Sequence, residues 1–193
     1  MWWLHNHNNP KYLFLWGNHE LRFALELQKY IKEQRKEEFH INDVSSDIWF
    51  SKNKNINISN VAIELIEKNV ISTKNILEAF VSLKWFHVEN INGITYKFSH
   101  ASWDITKSDN KQSKKNLVYD TEHLLVETTK KDPSPKMKNY IELCKEKKIK
   151  HVIGHFPTPK VFKVPAPYIY LETFYYIDAG WFQRANDPYF MKL

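Results

Sequence analysis

Tyr12-Leu13-Phe14-Leu15-Trp16-Gly17-Asn18-His19-Glu20 joins an apolar run to a polar tetrapeptide without a linker. The run reads as a short buried strand over 12–16. Gly17 is expected to permit a tight turn that a Cβ would resist. The turn then presents three polar side chains at the strand end. An Asn amide oxygen can ligate a hard divalent ion, and a His beside it can move protons.

Two further segments repeat the pattern. Phe98-Ser99-His100-Ala101 follows the run Ile94-Thr95-Tyr96-Lys97, and Gly154-His155-Phe156-Pro157-Thr158-Pro159 follows His151-Val152-Ile153. The dipeptide Asn92-Gly93 predicts a hairpin that pairs 85–88 with 94–98. His100 and His155 are therefore both expected just past strand ends. In α/β sheets, strand ends are where ligands converge. A donor set of imidazole nitrogen and amide oxygen suits Mn, Fe or Zn better than Ca.

Strand-GNHE, strand-SHA and strand-GH…TP, in this order, resemble the calcineurin-like metallophosphoesterases. The similarity is greatest to their phosphoprotein-phosphatase branch. The resemblance implies an α/β fold, part of a two-sheet sandwich flanked by helices. It implies Asn18, His100 and His155 as ligands of the second of two metal ions, with Mn first and Fe or Zn as alternatives. It further implies His19 as the proton donor to the leaving group and Glu20 as its orienting neighbour. Tyr176-Ile177-Asp178-Ala179-Gly180 resembles the late I-D-x-G strand-turn of the family. The implied activity is phosphoester hydrolysis. Substrates would be a phosphorylated protein Ser/Thr or a small phosphoester such as a dinucleoside polyphosphate.

The chain departs from the family in several places. Ala101-Ser102 stands where a Gly is usual after the first His, and Phe156-Pro157 separates His155 from the Thr that commonly follows directly. The D-x-H and G-D-x-x-D-R-G motifs are not in this sequence. Those motifs supply both carboxylates and the phosphate-binding Arg, on a βαβ unit of about 30 residues. The sequence therefore reads as one N-terminally incomplete domain over 1–193, its opening strand and helix missing. At most one ion is expected, and association through the uncovered sheet edge. Arg22 and Arg184 are the candidate phosphate contacts. The alternative function, from a different class, is a non-catalytic remnant or binding module of the same fold.

Composition narrows the rest. Hydrophobic residues make up 42% of 193, enough for a packed core. Net charge is +6, but only Arg22, Arg35 and Arg184 are arginines, which argues against a specific nucleic-acid partner. The single Cys144 precludes an internal disulfide and fits a reducing, cytoplasmic setting. No apolar run approaches a membrane span, and the N-terminus lacks the pattern of a signal peptide.

Along the chain, a helix is expected from Glu20 to about Lys36 and an irregular stretch over 39–58. Helices follow at 60–68 and 72–84, the latter capped by Ser72. Residues 104–135 are expected as a surface insertion, with a loop over 104–116. A basic helix spans 136–148, and strands lie near 167–171 and 174–177. His5 and His7 read as exposed turn residues. His40, His87, His123 and His151 read as structural or surface groups.

Overall fold

The structure, a computed structural model, describes residues 6–35, 64, 66–119, 124–164 and 166–178. It is mixed α/β, and the chain divides into two compact units, Met1–Lys84 and Trp85–Leu193. The expected loop over 39–58, helix positions 60–63 and 65, His5, His40, His123, Ala179, Gly180 and Arg184 lie outside the described residues.

In the first unit, α1 (Asn18–Tyr30) continues into a π-helical turn over Ile31–Arg35. Its stripe of Leu21, Ala24, Leu27 and Ile31 is fully buried, which is the 3.6-residue period at work. Helix α2 (Thr73–Ser82) begins where expected, with Ser72 Oγ accepting the Asn75 N–H at 3.1 Å. Phe80 of α2 stacks on Trp16 at 5.4 Å and meets Phe23 of α1 at 5.3 Å. The expected strand over 12–16 is reduced to one parallel bridge, Leu15 with Lys84. A strand exists through its partner's hydrogen bonds, and among the described residues Lys84 alone supplies them. Tyr12 and Leu13 are exposed rather than buried. His7, expected as exposed, is half-buried.

The second unit is built on five strands in the order β1-β2-β3-β5-β4. They are β1 (Phe86–Ile91), β2 (Ile94–Ser99), β3 (Ile149–Ile153), β4 (Tyr168–Tyr170) and β5 (Phe174–Tyr176). Strands β1 and β2 form the hairpin that Asn92-Gly93 announces. Both turn residues take positive φ, 52° and 77°, as the favoured two-residue hairpin turn requires. Strands β2, β3 and β5 run parallel, and β4 is antiparallel to β5. Between β2 and β3 the chain forms α3 (Lys114–Val118), α4 (Leu124–Thr129) and α5 (Pro135–Glu146). Ser134 caps α5, its Oγ accepting the Met137 N–H, with Pro135 in the first turn.

Residues 104–135 hold more interior than the word insertion suggests. Leu117, Val118, Leu124 and Thr128 are buried, and Leu124 joins the core of Met137, Ile141, Ile153, Phe174 and Tyr176. The expected loop over 104–116 carries a 3-10 turn (Asp109–Lys111) and α3, and it is tied internally. Asp104 Oδ1 accepts from the Thr106 N–H and hydroxyl, and Gln112 bonds the Asp104 backbone at both N–H and C=O. Burial pushes the Asp104 carboxyl up, but bonds from Lys107 and Thr106 outweigh it and hold the group below its usual range.

A polar thread crosses this core. His151 of β3 is fully buried and its Nε2 lies 2.7 Å from the Tyr140 hydroxyl of α5. Its Nδ1 finds no hydrogen-bond partner among the described residues. Burial, with a smaller contribution from Lys97, pushes the imidazole down to about 3. In an unfolded chain the same ring titrates near 6.5. The unfolded state thus takes up a proton on acidification before the folded state does, so the fold loses stability as pH falls from about 6.5 toward 3. Thermal midpoints from pH 7 to 4 should show this loss, and His151→Phe should flatten the profile; an unchanged slope in the variant would assign the acid sensitivity elsewhere.

Candidate metal centre

The G-N-H-E tetrapeptide is the first turn of α1. Gly17 is the N-cap at φ −114° and ψ 172°, so the backbone there is ordinary extended chain and not the glycine-only turn expected. Asn18 and Glu20 are half-buried and His19 is exposed. Glu20 sits three residues past the cap. Burial pushes its carboxyl up, opposed by the backbone N–H groups of Glu20 and Gly17 and by the nearby His19. A carboxylate at this position reaching back to the cap N–H is half of a capping box. Glu20 therefore stands at the position from which a carboxylate can close the helix start. Arg22 is buried, and its Nε donates to Glu26 Oε1 at 2.7 Å within the same helix.

The second unit brings two of the sequence-derived residues together. His100 directly follows β2, and His155 lies two residues past β3. Because β2 and β3 are parallel with Ser99 opposite Ile153, both histidines leave the sheet at the same edge. His155 Nδ1 lies 2.9 Å from His100 Nε2, and the ring centroids are 4.8 Å apart at 66°. Strand β5 ends on that edge too, leading into Ile177 and Asp178. The Ile177 N–H donates to Ile153 O at 2.9 Å, and the Asp178 carbonyl accepts the Thr158 N–H at 2.8 Å. Thr158 opens the short helix α6 (Thr158–Val161).

His155 adopts φ +60°, a left-handed conformation uncommon outside glycine but one in which His is enriched. The Phe156 N–H bonds back to Gly154 O at 2.6 Å, closing a three-residue turn with His155 at its centre. Such a turn with positive φ is strained and needs its surroundings to hold it. Gly154 before it packs close to the other histidine: a Cβ built there would lie 3.5 Å from His100 O. The Phe156 ring meets the His155 imidazole at 4.8 Å and 76°.

Two ring nitrogens at this separation share one proton, since one of them must be N–H for the hydrogen bond to exist. Both rings could instead turn a nitrogen toward a divalent ion, for which imidazole is a common ligand. Among the described residues no group of three or more His, Cys, Asp and Glu side chains is arranged to hold a metal. Compared with known proteins, the chain matches no family model, no curated protein and no solved structure.

Two further histidines and the cysteine have settings of their own. His87 bonds Glu89 Oε2 at 2.9 Å on the edge strand β1, and His151 belongs to the core. Cys144 is buried, and burial pushes its thiol up despite a hydrogen bond with Tyr140 and the nearby Lys97. Its lysine neighbours in sequence do not activate it. Phe156 and the Glu20 cap escaped the sequence reading. The signal for Glu20 was a Glu three residues past a cap position, and for Phe156 an aromatic directly after the second histidine.

The strained turn makes a testable demand on position 155. His155→Gly should fold at least as stably as the parent, whereas His155→Val should cost about 1–3 kcal/mol more, because a β-branched residue resists positive φ. Urea unfolding of the two variants checks this; equal midpoints would mean that the turn relaxes freely.

Proposed function

We propose that this chain carries the second-ion half of a metallophosphoesterase centre, with His100 and His155 as its imidazole ligands. The observation that carries this reading is the 2.9 Å approach of His155 Nδ1 to His100 Nε2 at the C-terminal ends of neighbouring parallel strands. The resemblance of the three motifs supplies the rest. That resemblance implies an amide-oxygen ligand role for Asn18, a proton-donor role for His19 and an orienting role for its neighbour Glu20. The substrate class is a phosphate ester, either on a protein Ser/Thr side chain or in a dinucleoside polyphosphate. A bound divalent ion, Mn, Fe or Zn, supplies charge neutralisation on the phosphoryl oxygens and an acidified water. The two-sheet sandwich of that family belongs to the same proposal.

The donors assigned here are neutral, so a complete dinuclear site needs the carboxylates of the D-x-H and G-D-x-x-D-R-G motifs. Two measurements follow from that. Titration calorimetry with Mn²⁺ should show one site on this chain, lost or strongly weakened in His100→Ala and in His155→Ala; binding that ignores both substitutions, or no binding, refutes the ligand assignment. With the two motifs supplied upstream, the protein should hydrolyse an activated aryl phosphate, and His19→Ala should slow it by about 10²–10⁴, the share of a general acid. Metal binding without turnover in that extended protein would favour a binding module over an enzyme.

A further inference from the structure

We infer that Phe156 is a positioning residue for the second histidine, holding the His155 imidazole where its Nδ1 faces His100. This inference rests on the reading of His100 and His155 as ligands to one ion.

A histidine that binds metal is useful only if its ring is aimed beforehand. That aiming commonly falls to a hydrogen bond at the other ring nitrogen. Here an apolar contact adds to it. The His155 ring has two edge-on neighbours, His100 at 4.8 Å and 66° and Phe156 at 4.8 Å and 76°. Phe156 can serve as a fixed wall because it is itself only 7% exposed and belongs to the core around Met137, Ile141 and Ile153. Its ring lies 6.0 Å from that of Tyr176 on β5. The same residue closes the turn through its backbone, donating to Gly154 O at 2.6 Å across the left-handed His155. One residue therefore restrains both the backbone and the ring of its neighbour. An edge-to-face contact of this kind has a preferred geometry, so it sets orientation as well as proximity. A small polar residue at position 156 would remove that contact.

Co²⁺ serves as the probe, because its visible absorption reports ligand geometry as well as occupancy. The parent chain should bind Co²⁺. Phe156→Leu and Phe156→Met, which keep an apolar side chain but lose the flat ring, should bind about tenfold more weakly, the scale of an orienting contact, and with an altered visible band. Phe156→Tyr should restore both affinity and band. Ile141→Ala removes apolar bulk from the same core without touching His155, and should leave Co²⁺ affinity unchanged even as it lowers the melting temperature. Parent-like affinity and band in folded Phe156→Leu or Phe156→Met would overturn the positioning role while leaving the ligand pair intact. Equal weakening by Ile141→Ala would reduce Phe156 to a packing residue. A parent that takes up no Co²⁺ would remove the ligand reading and this role with it.

Discussion

The pairing of β2 with β3 governs the second unit. Five consecutive residue pairs, from Thr95 opposite Ile149 to Ser99 opposite Ile153, lock two strands in parallel. A slip of one residue would turn every side chain to the other face. His151 and Ile153 would then leave the α5 side of the sheet, and His100 would no longer stand beside the chain that bears His155. The ladder extends weakly past the strands, with the Gly154 N–H 3.4 Å from Ser99 O, so the two loops separate gradually. Parallel pairing is slightly weaker per residue than antiparallel. Here it is braced on both sides, by the β1 hairpin and by β5 with its antiparallel partner β4.

Polar groups inside the core determine how the helices seat on this sheet. Tyr140 reaches from α5 to His151 of β3. Thr128 of α4 meets the Tyr176 hydroxyl of β5 at 2.7 Å. Lys97 of β2 crosses the Trp103 ring to bond Asp109 at 2.6 Å. Each pair joins a strand to a different segment of the β2–β3 connection. Apolar packing tolerates rotation and sliding, whereas a buried hydroxyl that must find one partner does not. Glu127 does similar work at the entrance to α5. Its carboxylate takes Lys130 and the Ser134 N–H, which hold it down at about 2, and so ties the end of α4 to the cap of the next helix.

Local chemistry made some of this legible. Asn92-Gly93 can hardly be anything but a hairpin turn, Ser72 and Ser134 are sound caps, and the runs before His100 and His155 are strands because β-branched and aromatic residues crowd there. The reading failed where tertiary context decides. An apolar run such as 12–16 becomes a strand only if a partner lies alongside, and no residue within it records that. Gly17 looked like a turn glycine because the G-N-H-E pattern drew attention to its freedom, yet its dihedrals suit any residue. The Lys, Ser and Asn of 104–116 suggested solvent, although Asp104-Ile105-Thr106 already carried an Asp able to bond two residues on. The two histidines were singled out by motif and strand-end position. Their mutual distance depends on a parallel register set by chain segments about fifty residues apart, which no local pattern encodes.

That separation has a kinetic side. The β1–β2 hairpin needs only its two-residue turn, and such units close in about 1–10 μs. The contact between His100 and His155 spans 55 residues and exists only once β3 has found β2. Entropy must be surrendered to close that long loop before the parallel pairing returns anything. The histidine pair thus depends on one of the costlier loop closures in the second unit. A nascent or partly folded chain presents the two imidazoles as separate, singly acting groups, and the paired arrangement itself becomes a reporter that the sheet has closed in register.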